Sequence, residues 1–133
     1  KLARLPVDSY TYFSSIPYSD VDAVYSRSAV IVNPEKSNHF SDNIAHLKFF
    51  EAMYSGRPIV APRFQIHQQG INNGIHCQLY DPDDMQSMLS VIQRVLDNVD
   101  QLAVLASGNR SLVETQFFYE RRFTSALANQ LLS

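Results

Sequence analysis

The residues best suited to chemistry lie in one stretch, from Ala29 to Ala61. Lys48 and Glu51 place an ammonium and a carboxylate three positions apart. On a helix, Ile44, Lys48, Glu51 and Ser55 share one face, and Phe49, Phe50 and Met53 lie opposite. One side is then core and the other carries a charged pair. The plainer reading is a solvated Lys48–Glu51 contact at i, i+3, contributing about 0.2–0.5 kcal/mol. The sharper reading has Glu51 accepting hydrogen bonds from ribose hydroxyls, with Lys48 near phosphates. Spacing alone favours the plainer one.

The connection ahead of this helix offers a second kind of chemistry. A polar loop, Glu35 to Ser41, leads from the apolar run Ala29–Val32 to a helix start near Asp42. In an open parallel sheet, ligands bind beyond the carboxyl ends of the strands. Free backbone N–H groups and the helix dipole at such a place favour a phosphate. An ordinary connection capped by Ser41 or Asp42 is the commoner result of this topology. The Asp42 carboxylate can itself fill the anion position.

Other candidates carry less. His39, His46, His67, His76 and Cys77 lack the paired short spacings of a structural zinc site. No nucleophile-elbow pattern occurs among the serines. Asn109-Arg110-Ser111 has the form of a glycosylation acceptor but falls in a predicted helix. Lys36, Arg57, Arg63 and Arg121-Arg122 are scattered cations of a solvated surface.

The positioning elements follow from pattern. Tyr10–Phe13 reads as a short aromatic strand. Ser19 or Asp20 can cap a helix running to about Arg27. Ala29–Val32, ended by Asn33-Pro34, reads as a strand buried on both faces. The helix from about Asp42 to Ser55 stops at Gly56. Pro58–Ala61 and Ile75–Tyr80 are further strands. Asp81 to Asp84 opens a helix whose Met85, Met88, Leu89, Ile92 and Val95 share a face. Gln101 to about Gln116 reads as another helix with Gly108 in its middle, and Phe123, Leu127 and Leu131 mark a last one. These stripes are core packing. Short apolar strands alternating with amphipathic helices predict an α/β fold with a Rossmann-like parallel sheet flanked by helices and a helical C-terminus.

The totals set limits. The chain has 133 residues, 45% hydrophobic and 18% charged, enough for one domain with a real core. A net charge of −2 supplies no basic field for nucleic acid. The single cysteine excludes an internal disulfide and fits a reducing compartment. No apolar run approaches the roughly 18 residues of a membrane span. The expected location is cytoplasmic, with peripheral attachment to a membrane left open. The chain begins at Lys1 with its motifs close behind, so a fragment or a processed chain is expected.

The string Lys48-Phe-Phe-Glu51-Ala-Met-Tyr-Ser-Gly56-Arg-Pro58-Ile-Val-Ala61 resembles the K-x-x-E-A-M-x-x-G-x-P-I/V-V-A signature of retaining glycosyltransferases. These are enzymes of the glycosyl transferases group 1 family, built from two Rossmann-like domains in the GT-B fold. Ser26 to Pro34 resembles the strand and proline that precede the signature. Gly74 and Leu79 to Asp84 resemble the element that follows it. The likeness covers about residues 10 to 125.

The resemblance implies that residues 1–133 are part of the domain that binds a nucleoside diphosphate sugar, with UDP or GDP as nucleotide. The family's second motif Glu contacts the ribose, and Glu51 matches it. The first contacts the donor sugar, and Asn43 stands there instead. Asparagine can hydrogen-bond a hydroxyl but carries no charge. That change, with Ile44 in place of the usual proline, leaves sugar identity and competence open. Asp42, Asn43, Ile44, Lys48 and Glu51 form the implied donor site. Neither a metal nor another cofactor is implied. The family's two initial strands, their glycine-rich turn, and an Arg and a Lys for the diphosphate have no counterpart before Tyr10. The N-terminal acceptor domain is missing too, so this chain alone should not transfer sugar. A non-catalytic binding or assembly module is the alternative. In a 3-2-1-4-5-6 sheet the last three strands should be parallel neighbours. The Tyr10 run should be displaced or unpaired.

Overall fold

The computed structural model describes residues 9–41, 47–65 and 73–116. Its frame is a parallel sheet of β1 (Ile31–Val32), β2 (Ile59–Pro62) and β3 (Gln78–Tyr80), in that spatial order. Ile31 pairs with Ile59 and Val32 with Val60; on the other side of β2, Val60, Ala61 and Pro62 pair with Gln78, Leu79 and Tyr80. The three expected strands are thus parallel neighbours in chain order.

Every residue of β2 is buried, as its continuous apolar run requires. Successive side chains point to opposite faces, and the core divides accordingly. Ile59, Ala61 and Leu79 pack with Phe49, Ala52 and Met53 of α2 (Leu47–Tyr54) and with Val113. Val60 and Tyr80 pack on the other face against Val91 and Val95 of α3 (Met85–Asp97). Helices therefore cover both faces, which defines a Rossmann-like layer arrangement.

Two turns set the geometry around β2 and β3. Gly56 ends α2 at a φ of 71°, a left-handed conformation that glycine adopts without penalty. The α3 start is capped by Asp84, whose carboxylate accepts from the Gln86 and Ser87 amides at 2.9 and 3.0 Å.

Several expectations need correction. Tyr10–Phe13 forms no strand; Tyr10, Tyr12 and Phe13 are exposed, and no described segment pairs with them. Aromatic β-propensity is realised only against a neighbouring strand. The first helix, α1, is Tyr18–Arg27, with Pro17 at its N-cap. Ser19 and Asp20 lie inside it and hydrogen-bond each other at 3.0 Å instead of capping. The third strand is shorter than expected, because the Gly74 amide donates to the Cys77 carbonyl at 2.7 Å and closes a turn there. Gln101 to Gln116 is not one helix. It divides into α4 (Val99–Ala106) and α5 (Asn109–Gln116), with the break at Ser107 and Gly108. On α3, Met85 and Leu89 are exposed, and the buried stripe runs through Val91 and Val95 with Met88 and Ile92 beside them. The expected start of α2 near Asp42 and the helix through Phe123, Leu127 and Leu131 lie outside the described residues.

α2 is held to the rest by polar contacts as well as by its apolar face. The Tyr54 hydroxyl donates to Glu114 of α5 at 3.3 Å, and the Arg110 guanidinium lies 4.3 Å from the Tyr54 ring centre. The C-terminal end of α1 is tied in by Arg57, whose guanidinium donates to the Ser26 carbonyl.

Candidate functional site

The loops leaving the three strands meet at one end of the sheet. Residues 33–41, which follow β1, are folded by their own polar side chains. The Asn38 side-chain oxygen accepts from the Phe40 and Ser41 amides at 3.0 and 2.9 Å. The Ser41 hydroxyl donates to the Lys36 carbonyl at 2.9 Å. Asn and Ser form such local turns readily.

Two residues near the end of β3 then fasten this loop. The Tyr80 hydroxyl donates to the Asn33 carbonyl and accepts from the Glu35 amide, both at 3.3 Å. The Asp83 carboxylate accepts from the Ser37 amide at 3.3 Å. Asp83 itself adopts a φ of 62°, a left-handed conformation that Asp tolerates better than most residues. Burial raises the Tyr80 pKa, as do the Glu35 and Asp83 carboxylates, against the lowering effect of the hydrogen bond from the Glu35 backbone. The phenol therefore stays protonated and able to donate. Arg63, just past β2, meets Asp81 through Nε at 3.3 Å; both side chains are largely solvated, so this pair adds little stability.

Glu51 lies on α2 away from Phe49 and Met53, half-exposed, and Lys48 is exposed one turn earlier. No ion pair joins them, so the simple surface contact expected from their spacing is not formed. The partner of Glu51 is instead Tyr18 of α1, whose hydroxyl donates to Oε1 at 3.2 Å. That hydrogen bond, then the carboxylate charge, raises the Tyr18 pKa. Tyr25, on the same helix, is raised first by burial and then by the same charge. Tyr18 thus touches the Glu51 carboxylate, and Tyr25 feels its charge.

Asp42, Asn43 and Ile44, with His46 and His67, lie outside the described residues. Sequence reasoning missed Tyr18 and Tyr80. Tyr80 carried a signal, since a polar-tipped aromatic closes the strand just before the turn residues Asp81-Pro82. Tyr18 carried none. Cys77 is buried, and burial pushes its thiol up to about 12 despite the opposing effect of Arg63. Asn109 is fully buried, with its Nδ2 donating to the His76 carbonyl at 2.6 Å. Asn109 of the acceptor-like tripeptide is therefore in the core, whereas Arg110 and Ser111 are exposed on the same helix. Among the described residues no group of His, Cys, Asp or Glu is arranged to hold a metal, and no helix is long and apolar enough to cross a membrane.

A parallel sheet covered by helices on both faces, with its loops gathered at the strands' carboxyl ends, is a Rossmann-like α/β arrangement. The chain belongs to the glycosyl transferase-like family, which it matches over residues 6–128. It is a partial glycosyltransferase domain. Sucrose-phosphate synthase from Thermosynechococcus elongatus shares the fold, with a TM-score of 0.76 and 24% identity over 95% of this chain and 31% of that one. HepE from Anabaena, solved in complex with UDP, has a TM-score of 0.62 and 17% identity over 84% of this chain and 30% of that one. The chain thus spans less than a third of the length of either. None of the curated proteins matches it.

Proposed function

We propose that this chain is the distal part of the donor-binding domain of a glycosyltransferase. The enzyme moves a hexose from a nucleoside diphosphate sugar to a glycan or lipid acceptor, without a metal, on the cytoplasmic side. The acceptor is held by a separate N-terminal domain. One observation carries the reading: Glu51 presents a half-exposed carboxylate, hydrogen-bonded by the Tyr18 hydroxyl, on the polar side of α2, inside the family's signature string. A carboxylate is acceptor-only and suits the paired hydroxyls of a ribose. Lys48 then lies toward the phosphates. Asn43 takes a sugar hydroxyl, with Asp42 and Ile44 beside it at the helix start. The UDP bound by HepE supports a uridine nucleotide as the first ligand to try.

The test is calorimetric titration of the protein carrying this chain with UDP and GDP. Glu51→Ala removes one or two charge-assisted hydrogen bonds of about 1.5–3 kcal/mol each, so affinity should fall at least about tenfold. Glu51→Gln, which keeps shape and one acceptor, should fall between. Unchanged affinity in Glu51→Ala would refute the ribose role. The second reading is a non-catalytic Rossmann-like module, favoured by Asn43 standing where the family has a carboxylate. Nucleotide binding without any sugar transfer or donor hydrolysis would select it.

A further inference from the structure

Tyr18 and Glu51 are 33 positions apart in sequence, yet the Tyr18 hydroxyl meets Oε1 of Glu51 at 3.2 Å. Tyr18 is 79% exposed, so core packing does not account for its place. The helix that delivers it is docked. Tyr25, seven positions later and on the same face, packs against the core that contains Phe49 and Met53. Arg57 holds the Ser26 carbonyl at the far end of the same helix.

Resting on the ribose role of Glu51, we propose that Tyr18 is a positioning residue of the donor site, whose hydroxyl holds the Glu51 carboxylate in one orientation. A half-exposed glutamate with no ion pair among the described residues otherwise samples many rotamers. Ordering such a side chain at the moment of binding weakens binding. An ionised carboxylate has about four acceptor positions, and Tyr18 occupies one of them on Oε1. The rest of Oε1 and all of Oε2 remain for ribose hydroxyls. Tyr18 thereby meets in advance an ordering cost that would otherwise fall on the nucleotide.

The experiment is titration of the protein carrying this chain with UDP and GDP, comparing wild type, Tyr18→Phe, Glu51→Ala and the double variant. Tyr18→Phe keeps the ring and should melt as wild type does, because the hydroxyl is in water. It should bind the nucleotide about three- to tenfold more weakly, the loss of one oriented charge-assisted hydrogen bond. In the Glu51→Ala background the same change should have no further effect, since the two act through one contact. Wild-type affinity in Tyr18→Phe, with weakened Glu51→Ala, overturns the role of Tyr18 and leaves the ribose reading standing. An equal loss in both backgrounds also overturns it, because Tyr18 then acts independently of Glu51. Unchanged binding in both single variants, or no nucleotide binding by wild type, brings down the ribose reading and this inference together.

Discussion

The Tyr80 hydroxyl at the end of β3 donates to the Asn33 carbonyl at the end of β1, across the full width of β2 and 47 positions back in the chain. The same oxygen accepts from the Glu35 amide. One buried phenol therefore sets the exit direction of the loop that precedes α2.

Tyr80→Phe should test that tie. The ring stays in its pocket beside Val60 and Val91, and only the hydroxyl is lost. The cost should be about 1–3 kcal/mol, the range for removing one partner from part-buried groups. Chemical denaturation measures the loss, and amide exchange at Glu35 should accelerate. Unaltered exchange at Glu35 would mean that the loop is held by its own turns.

At Gly56 the expected effect is one of backbone strain. A Cβ there would meet Ser107 Cα at 3.7 Å and the Ala106 carbonyl at 3.8 Å, which are ordinary contacts. The φ of 71° is the obstacle. Gly56→Ala should destabilise by about 1–2 kcal/mol, the left-handed penalty for an L-residue. Gly56→Asn should lose less, because Asn visits that region more readily. Equal losses in the two variants would point to crowding against Ser107 instead.

Cys77 should be inert at neutral pH and a source of instability in alkali. Its thiol is raised from an ordinary 9.0 to about 12 in the folded chain. The unfolded chain therefore gives up this proton first. The contribution to stability is complete below pH 9 and is lost progressively as pH rises toward about 12. Cys77→Ala should flatten that part of the stability profile. Alkylation at pH 8 should follow global unfolding; rapid labelling of the native protein would contradict its burial.

Asn109 should tolerate no charge. It is fully buried against the His76 carbonyl. Asn109→Ala leaves a polar gap and should cost about 1–3 kcal/mol. Asn109→Asp turns an acceptor toward a carbonyl and buries a carboxylate, so it should cost more, with stability recovering as acid protonates it. Melting curves of both variants across pH 4 to about 8 separate the two effects. A milder effect for Asp than for Ala would show the side chain reoriented toward water.

The sequence alone determined the elements whose signals are local. Glycine, prolines and an unbroken apolar run delimit β2. Asp84 announces the start of α3. The string from Lys48 to Ala61 carried the family. Each depends on neighbours a few positions apart, where 3.6- and 2-residue periods operate. Tertiary structure decided the rest. The buried stripe of α3 turns toward Val91 rather than Met85 and Leu89, because the sheet face selects among several apolar residues. The tyrosine-rich run at Tyr10 forms no strand, because propensity supplies no pairing partner. Gly108 ends one helix and begins another, where its weak local penalty could have been absorbed in a continuous one. Glu51 bonds Tyr18 rather than Lys48 because the docking of α1 brings that phenol within reach. A solvated ion pair three positions apart is too weak to hold two long side chains together.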